Sequence, residues 1–236
     1  MTPSEQRAPY IRQYDPGRDF PAVIEVFRET CDESLKVEPI WTIASYIWCR
    51  PYLLLTPGYC FVIDDGHGEA VGYIIGAPDS GNFCEQWCER YVPHILSELD
   101  DLPQYRSVSQ ERALDIARRR NELLEDIRSN PRKFILGDHG NALQHFGHLH
   151  IDIVVSHQRR GFGRKLMSAF CSAVRNEGCP GLYLGMGATN HGAGQFYESC
   201  GFHRLPKVLD DGAHEELGRT KKTDEGEGTT YFVIDL

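Results

Sequence analysis

Long apolar runs are missing from this 236-residue chain; no stretch approaches the ~18 residues that a membrane span needs. The opening residues, MTPSEQRAPY, lack the charged-then-apolar layout of a secretory signal, so a cytoplasmic protein is expected. An excess of basic charge is missing too. Lys and Arg number 25 against 34 Asp and Glu, a net charge of -9, whereas nucleic-acid binding wants the opposite balance. No two of the eight cysteines form a CxxC pair. They are scattered through mostly apolar segments, which suits reduced, buried thiols better than a disulfide framework. Cys84 and Cys88 stand one helical turn apart, but no second pair has zinc-like spacing, and no metal is expected. What is present is an apolar share of 41%, sufficient for a real core in one large domain.

Periodicity and breakers order the elements. YIRQY (10–14) reads as a strand, broken by DPGRD. Val23, Ile24, Phe27 and Cys31 recur at helical spacing, and a second helical run from Ile40 to Cys49 is expected to stop at Arg50-Pro51. YCFVID (59–64) and EAVGYIIGA (69–77) are strands around the turn DGHG. Residues 78–145 hold two helical patterns. Phe83, Trp87, Tyr91 and Ile95 share one face; Leu114, Ile116, Ala117, Leu123, Leu124 and Ile127 share another, more loosely. They read as a helical insertion within a single domain spanning 1–236. HLHIDIVV (148–155) is then a strand, 163–176 a helix, GLYLGM (181–186) a strand, 192–200 a helix, and YFVIDL a closing strand. The charged, glycine-rich stretch 210–230 reads as a surface loop. The order gives an α/β (α+β) fold, a mixed central β-sheet flanked by helices.

One stretch carries chemistry: IDIVVSHQRRGFGRKLM, residues 151–167, where a strand runs through two arginines and two glycines into a helix. A helix N-terminus presents amide hydrogens without intrahelical partners, and its dipole adds partial positive charge. Glycine lets a ligand approach that backbone, and neighbouring arginines complete a pyrophosphate cradle. Gln158, Arg159, Arg160, Gly161, Phe162 and Gly163 fit that description; a tight strand-to-helix turn would use the same glycines for geometry alone.

VVSHQRRGFGRKLM resembles motif A of the GNAT superfamily of acetyltransferases, Q/R-x-x-G-x-G/A after the fourth strand. TNHGAGQFYESCGF (189–202) is similar to that superfamily's next motif, an Asn followed by a helix with Phe-Tyr that closes on Gly-Phe. Within the superfamily, HLHID, GRKLM and PYLLLTPGYCFVIDD…GYIIG resemble the acetyltransferase-like module at the C-terminus of O-GlcNAc hydrolases, and its free-standing relatives. The resemblance implies an N-acetyltransferase that uses acetyl-CoA and an amine acceptor in a ternary complex. Because the module is regarded as degenerate in animal fusion proteins, a silent acetyl-CoA-binding or interaction module stays open, as does a protein or histone lysine acetyltransferase.

The resemblance also distributes roles. Amides from Arg159 to Arg164 would hold the pyrophosphate, with Arg159, Arg160 and Arg164 adding charge. The fourth and fifth strands would splay, so that backbone N–H groups near Ile153, Val154 and Val155 face the acetyl carbonyl. Tyr197 would protonate the leaving thiolate, and a phenol near pKa ~10 suits that task. Asn190 either contacts the pantetheine or orders its turn. For the base, strand alternation puts His148, His150 and Asp152 on one face, opposite Leu149, Ile151 and Ile153. Asp152 lies nearest the expected acetyl position, with His150 as its partner or as the base itself. A metal set of His145, His148, His150 and Asp152 is disfavoured, since this HxxH falls on or near a strand. Asp32, Glu33, Glu38 and Trp41, in the loop between the first helices, could meet a cationic amine or form an ordinary acidic surface loop. The insertion, with Trp87, Tyr91 and Tyr105, is expected to roof the cleft, which favours a small-molecule acceptor.

Overall fold

The computed structural model describes residues 7–100, 102, 110–137, 142–205 and 229–236. The chain begins with strand β1 (Tyr10–Gln13), then helices α1 (Phe20–Thr30), α2 (Ile40–Trp48) and α3 (Arg50–Leu55). A hairpin of β2 (Phe61–Asp64) and β3 (Ala70–Ala77) follows. The insertion supplies α4 (Ser80–Gln86), a π turn at Trp87–Tyr91, α5 (Val92–Asp100), α6 (Gln110–Ser129) and α7 (Pro131–Ile135). Then come β4 (Gly147–Ile153), α8 (Phe162–Asn176), β5 (Gly181–Gly187), α9 (His191–Ser199), β6 (His203–Arg204) and β7 (Thr229–Asp235). The expected loop at 210–230 lies almost wholly outside the described residues, and Tyr105 lies outside them too.

Proline 51 does not end the helical region. The chain breaks at Cys49, with φ -135° and ψ -65°, and Pro51 sits in the first turn of α3, where no amide hydrogen is needed. The insertion carries four helices among the described residues rather than two patterns. Strand β6, two residues long, left no readable period. Strand β4 ends at Ile153, and Val155–His157 form a short 3-10 turn instead of continuing it.

The described strands build one mixed sheet in the order β1-β2-β3-β4-β5-β7-β6. Alternation along β3 divides the core. Tyr73 and Ile75 face α1–α3 and the insertion, with Phe27, Ile43, Ile47, Tyr52, Trp87 and Ile127. Ile74 faces the other way, onto Leu166, Phe170 and Val174 of α8, with Leu149 and Leu184. Buried bonds hold the insertion together and tie it into the first layer. Within it, Trp87 Nε1 donates to the Ile127 carbonyl at 2.9 Å; across its border, the Tyr91 hydroxyl donates to the Tyr46 carbonyl at 2.8 Å and the Tyr183 hydroxyl to the Ile135 carbonyl at 2.8 Å.

One lapse in the sheet positions everything that follows. β4 and β5 run parallel but pair only at Gly147↔Leu182 and His148↔Tyr183. β3 stays with β4 through Ile153, and β7 stays with β5 along its whole length. The sheet therefore opens beyond His148, as the resemblance implies.

Far from that gap, Arg12 of β1 forks onto Asp19 at the start of α1, with its Nη2 2.8 Å from Oδ1, and its Nε reaches Asp64 of β2 at 2.8 Å. Both carboxylates are 1% exposed. Burial alone would raise their pKa values, but the Arg12 hydrogen bonds prevail and hold both below the usual range. That contribution to stability is present above the unfolded value of 3.8 and is lost as pH falls through the lowered folded values. Arg12→Ala is expected to cost about 3–5 kcal/mol at neutral pH, because two carboxylates stay buried without their partner. Urea titrations should show the deficit shrinking below about pH 4, where those carboxylates protonate.

Candidate active site

The gap between β4 and β5 is lined first by backbone. The Val154 N–H donates to the Val71 carbonyl at 3.1 Å, which extends the β3–β4 ladder by one bond. Its amide is thereby spent, and Val154 leaves the set of open donors expected from the sequence. By alternation, Ile151 and Ile153 direct their N–H groups away from β3, toward the gap. The Ile153 carbonyl is held by Gln158 Nε2 at 2.7 Å. Gln158 thus braces the strand end through its side chain. Val155, next in line, is 76% exposed.

The arginine-glycine turn leads from there into α8. Arg159 takes φ 56° and Gly161 φ 82°, two left-handed residues in three, which swing the chain so that successive amides turn the same way. Gly161 caps α8 without a side chain, and no side-chain hydrogen bond caps the first turn. A Cβ on Gly161 would meet nothing within 4 Å, whereas one on Gly163 would meet the Phe196 ring at 3.0 Å. Gly163 therefore lets α8 lie close to α9, and Gly161 leaves the helix end open. Arg159, Arg160 and Arg164 are exposed and form no ion pair among the described residues. Arg160 lies 5.6 Å over the Phe162 ring. Uncapped amides beside unpaired guanidiniums suit an anion.

On α9, Tyr197 is 8% exposed and packs among Phe196, Phe202 and Phe232 at ring distances of 5.4 to 6.1 Å. Its hydroxyl makes no hydrogen bond among the described residues. Burial, followed by the charge of Asp152, pushes its pKa up, so it stays protonated. Asn190 caps α9, with Oδ1 accepting from the Ala193 N–H at 3.1 Å; it orders the turn.

The polar face of β4 is built from tyrosine partners that the sequence did not flag. Asp152 Oδ2 accepts from the Tyr73 hydroxyl at 2.6 Å, across the register pair Tyr73↔Asp152. Burial raises the Asp152 pKa, against the opposing Tyr73 bond. His150 is not bonded to Asp152. Its Nε2 meets the Tyr52 hydroxyl at 3.1 Å, that hydroxyl meets His148 Nε2 at 3.0 Å, and His148 Nδ1 meets Ser80 Oγ at 2.7 Å. Burial lowers His150 to about 4 and His148 well below its ordinary value. His145 lies apart, exposed, 3.7 Å from Asp79. Among the described residues no group of three His, Cys, Asp or Glu converges on a metal position. Tyr52 was hidden because the sequence reading ended the helix before it. Tyr73 was legible only as a core aromatic.

A cavity of about 290 Å³ opens on this face, lined by Trp48, Tyr52, Phe134, His148, His150 and Tyr231 among others. The insertion contributes Lys133, Phe134 and Ile135 to its wall; Trp87 and Tyr91, expected in the roof, are core residues instead. The acidic loop is turned inward on itself. Glu38 holds Arg28 at 2.9 Å and Thr42 at 2.7 Å, Glu33 holds Lys36 at 2.6 Å, Asp32 caps Ser34, and Trp41 lies under the Arg28 guanidinium. Those groups do not reach the cavity lining.

With this geometry in view, comparison with known proteins defines the class. The profile of the Acetyltransferase (GNAT) family matches residues 20–202, and the chain belongs to that family. The fold is similar to the crystal structure of SsHAT, at 25% identity and a TM-score of 0.67 over 97% of this chain and 98% of that one. It is also similar to YncA, a putative acetyltransferase from Salmonella typhimurium solved with its cofactor acetyl-CoA, at 16% identity and a TM-score of 0.50 over 97% and 94% of the two chains. The NatC complex bound to Gag peptide and CoA shares the fold at 11% identity and a TM-score of 0.52, over 98% and 99%. Among the described residues no helix is long and apolar enough to cross a membrane.

Histidines held neutral, His148 buried and His150 half-buried, are expected to make the protein acid-sensitive. Between the ordinary 6.5 and about 4, an unfolded histidine is protonated while folded His150 is not, so stability falls as pH drops through that window. The expected loss is on the order of 3 kcal/mol for His150 alone. Denaturant titrations from pH 7 to pH 4 should show this slope, reduced in His150→Gln.

Proposed function

We propose that this chain is an acetyl-CoA-dependent N-acetyltransferase whose acceptor is a small amine, attacked directly in a ternary complex. The observation that carries the reading is the separation of β4 from β5 beside an uncapped α8 N-terminus. A thioester arm laid along the open edge of β4 would pair with backbone as a strand does, covering Val155. The amides of Gly161, Phe162 and Gly163 would take the pyrophosphate, with Arg159 and Arg160 supplying charge and Arg164 following on the helix. The Ile153 N–H, and that of Val155, would face the acetyl oxygen and stabilise the charge that develops there. Asn190 would border the arm from the head of α9.

Tyr197 is the proton donor for the departing thiolate in this reading. Its hydroxyl has no hydrogen-bond partner among the described residues and is kept protonated by burial. The amine would enter from the opposite face, through the cavity lined by Trp48, Tyr52, Phe134 and His150. Two groups on the polar face of β4 can accept its proton: His150, which lines the cavity, and Asp152, which does not. A walled cavity of about 290 Å³ suits a small acceptor better than a flexible protein tail. Residues 1–236 would act as one such domain in the cytoplasm, in the branch that resembles the O-GlcNAc hydrolase module.

Acetyl-CoA is expected to raise the melting temperature, by about 2.7 kcal/mol of added stability at a hundredfold excess over Kd. The absence of any shift at millimolar acetyl-CoA rejects the assignment. Tyr197→Phe should keep that shift while lowering kcat about 100-fold or more. A panel of primary amines, read by thiol release from acetyl-CoA, checks it.

A further inference from the structure

We infer that Ser80, His148 and Tyr52 are positioning residues that lock His150 in its Nε2–H tautomer, so that His150 Nδ1 is the proton acceptor for the attacking amine. The inference rests on the transferase reading for its chemistry, but the tautomer itself follows from four contacts.

The chain of hydrogen bonds has a fixed end. Ser80 Oγ lies 2.7 Å from the Phe146 carbonyl, which can only accept. Two oxygens that close need a hydrogen between them, so the Ser80 hydroxyl hydrogen is committed there. The 2.7 Å contact between Ser80 Oγ and His148 Nδ1 must then be filled by a hydrogen on Nδ1. His148, 4% exposed and ringed by Tyr52, Phe83 and Tyr183, is neutral, so its Nε2 is bare. Among the described residues only the Tyr52 hydroxyl can donate to that nitrogen, across 3.0 Å. Tyr52 has one hydrogen, and it is now spent. Its 3.1 Å contact with His150 Nε2 therefore needs the hydrogen on His150. The lone pair of His150 is left on Nδ1, which makes no hydrogen bond among the described residues.

Asp152, the rival acceptor, accepts from Tyr73 on the neighbouring strand and is absent from the lining of the cavity, whereas Tyr52, His148 and His150 all line it. A nitrogen held near 4 cannot strip a free ammonium whose pKa is about 10. The amine consequently enters neutral, and the proton moves as the new C–N bond forms. The nitrogen lone pair attacks the carbonyl carbon, the C=O π electrons move to oxygen, and the N–H proton passes to Nδ1. Collapse breaks the C–S bond, the thiolate takes the Tyr197 proton, and the imidazolium returns its proton to Tyr197 through solvent. Atoms and charge balance.

The decisive measurement is 15N NMR of the histidine-labelled full chain at pH 7, assigned with His148→Gln and His150→Gln. Expected are two neutral rings, His148 protonated at Nδ1 and His150 at Nε2. The reverse pattern, or an imidazolium at either position, overturns the inference. Tyr52→Phe should leave His150 as a mixture of tautomers; an unchanged His150 pattern also overturns it. With benzylamine and ethanolamine as acceptors, Tyr52→Phe is expected to lower kcat about tenfold and His150→Gln about 100-fold or more, with the acetyl-CoA thermal shift retained. Full turnover in His150→Gln, with loss in Asp152→Asn, gives the role to Asp152. Absence of turnover in the unaltered protein counts against the transferase reading and leaves the tautomer pattern to decide this one.

Discussion

The site depends on two strands that begin as neighbours and do not remain so. β4 and β5 share two residue pairs and then diverge, which leaves backbone hydrogen-bonding groups unmatched in the middle of a sheet. Unmatched backbone is expensive unless something completes it. Here the chain keeps both strands rigid from outside, with β3 along β4 and β7 along β5, so the opening cannot close on itself. The α8 N-terminus, the Tyr197 phenol and the polar face of β4 are all arranged around that opening.

The two faces of the sheet carry different duties. The α8 face holds an uncapped helix start whose residues are small, at Gly161 and Gly163, or positive, at Arg159 and Arg160. The opposite face holds a network of aromatic hydroxyls and imidazoles, kept neutral by burial and supported by α3, α4 and the strand itself. A Cβ on Gly76 would lie 2.3 Å from the His148 carbonyl and 2.6 Å from the Phe170 ring, so even the seam between these faces is packed without slack.

Much of this was legible in the sequence, and the boundary of what was legible has physical causes. The order of strands and helices followed from apolar periods, and the glycine turn into α8 from QRRGFG, because both are local properties of the chain. The alternation of His148, His150 and Asp152 on one face was likewise local. Their partners were not. Tyr52 and Tyr73 lie 98 and 79 residues away from the groups they bind, in segments whose pattern reads only as core. Pro51 read as a stop because proline is ambiguous between the end of one helix and the first turn of the next. The acidic loop left two readings open, a receptor for cations or an ordinary surface loop, because composition reports charge and is blind to Arg28 and Lys36 already pairing with it.

The anchoring of the insertion has one further consequence. Tyr91 fastens it to α2 beneath, while among its described residues only its far end, Lys133 to Ile135, borders the cavity. On the proposed function, substitutions there would remodel the acceptor wall while the uncapped start of α8, on the other side of the sheet, goes undisturbed. A lineage of such transferases would in this way drift toward new acceptors without first surrendering its donor.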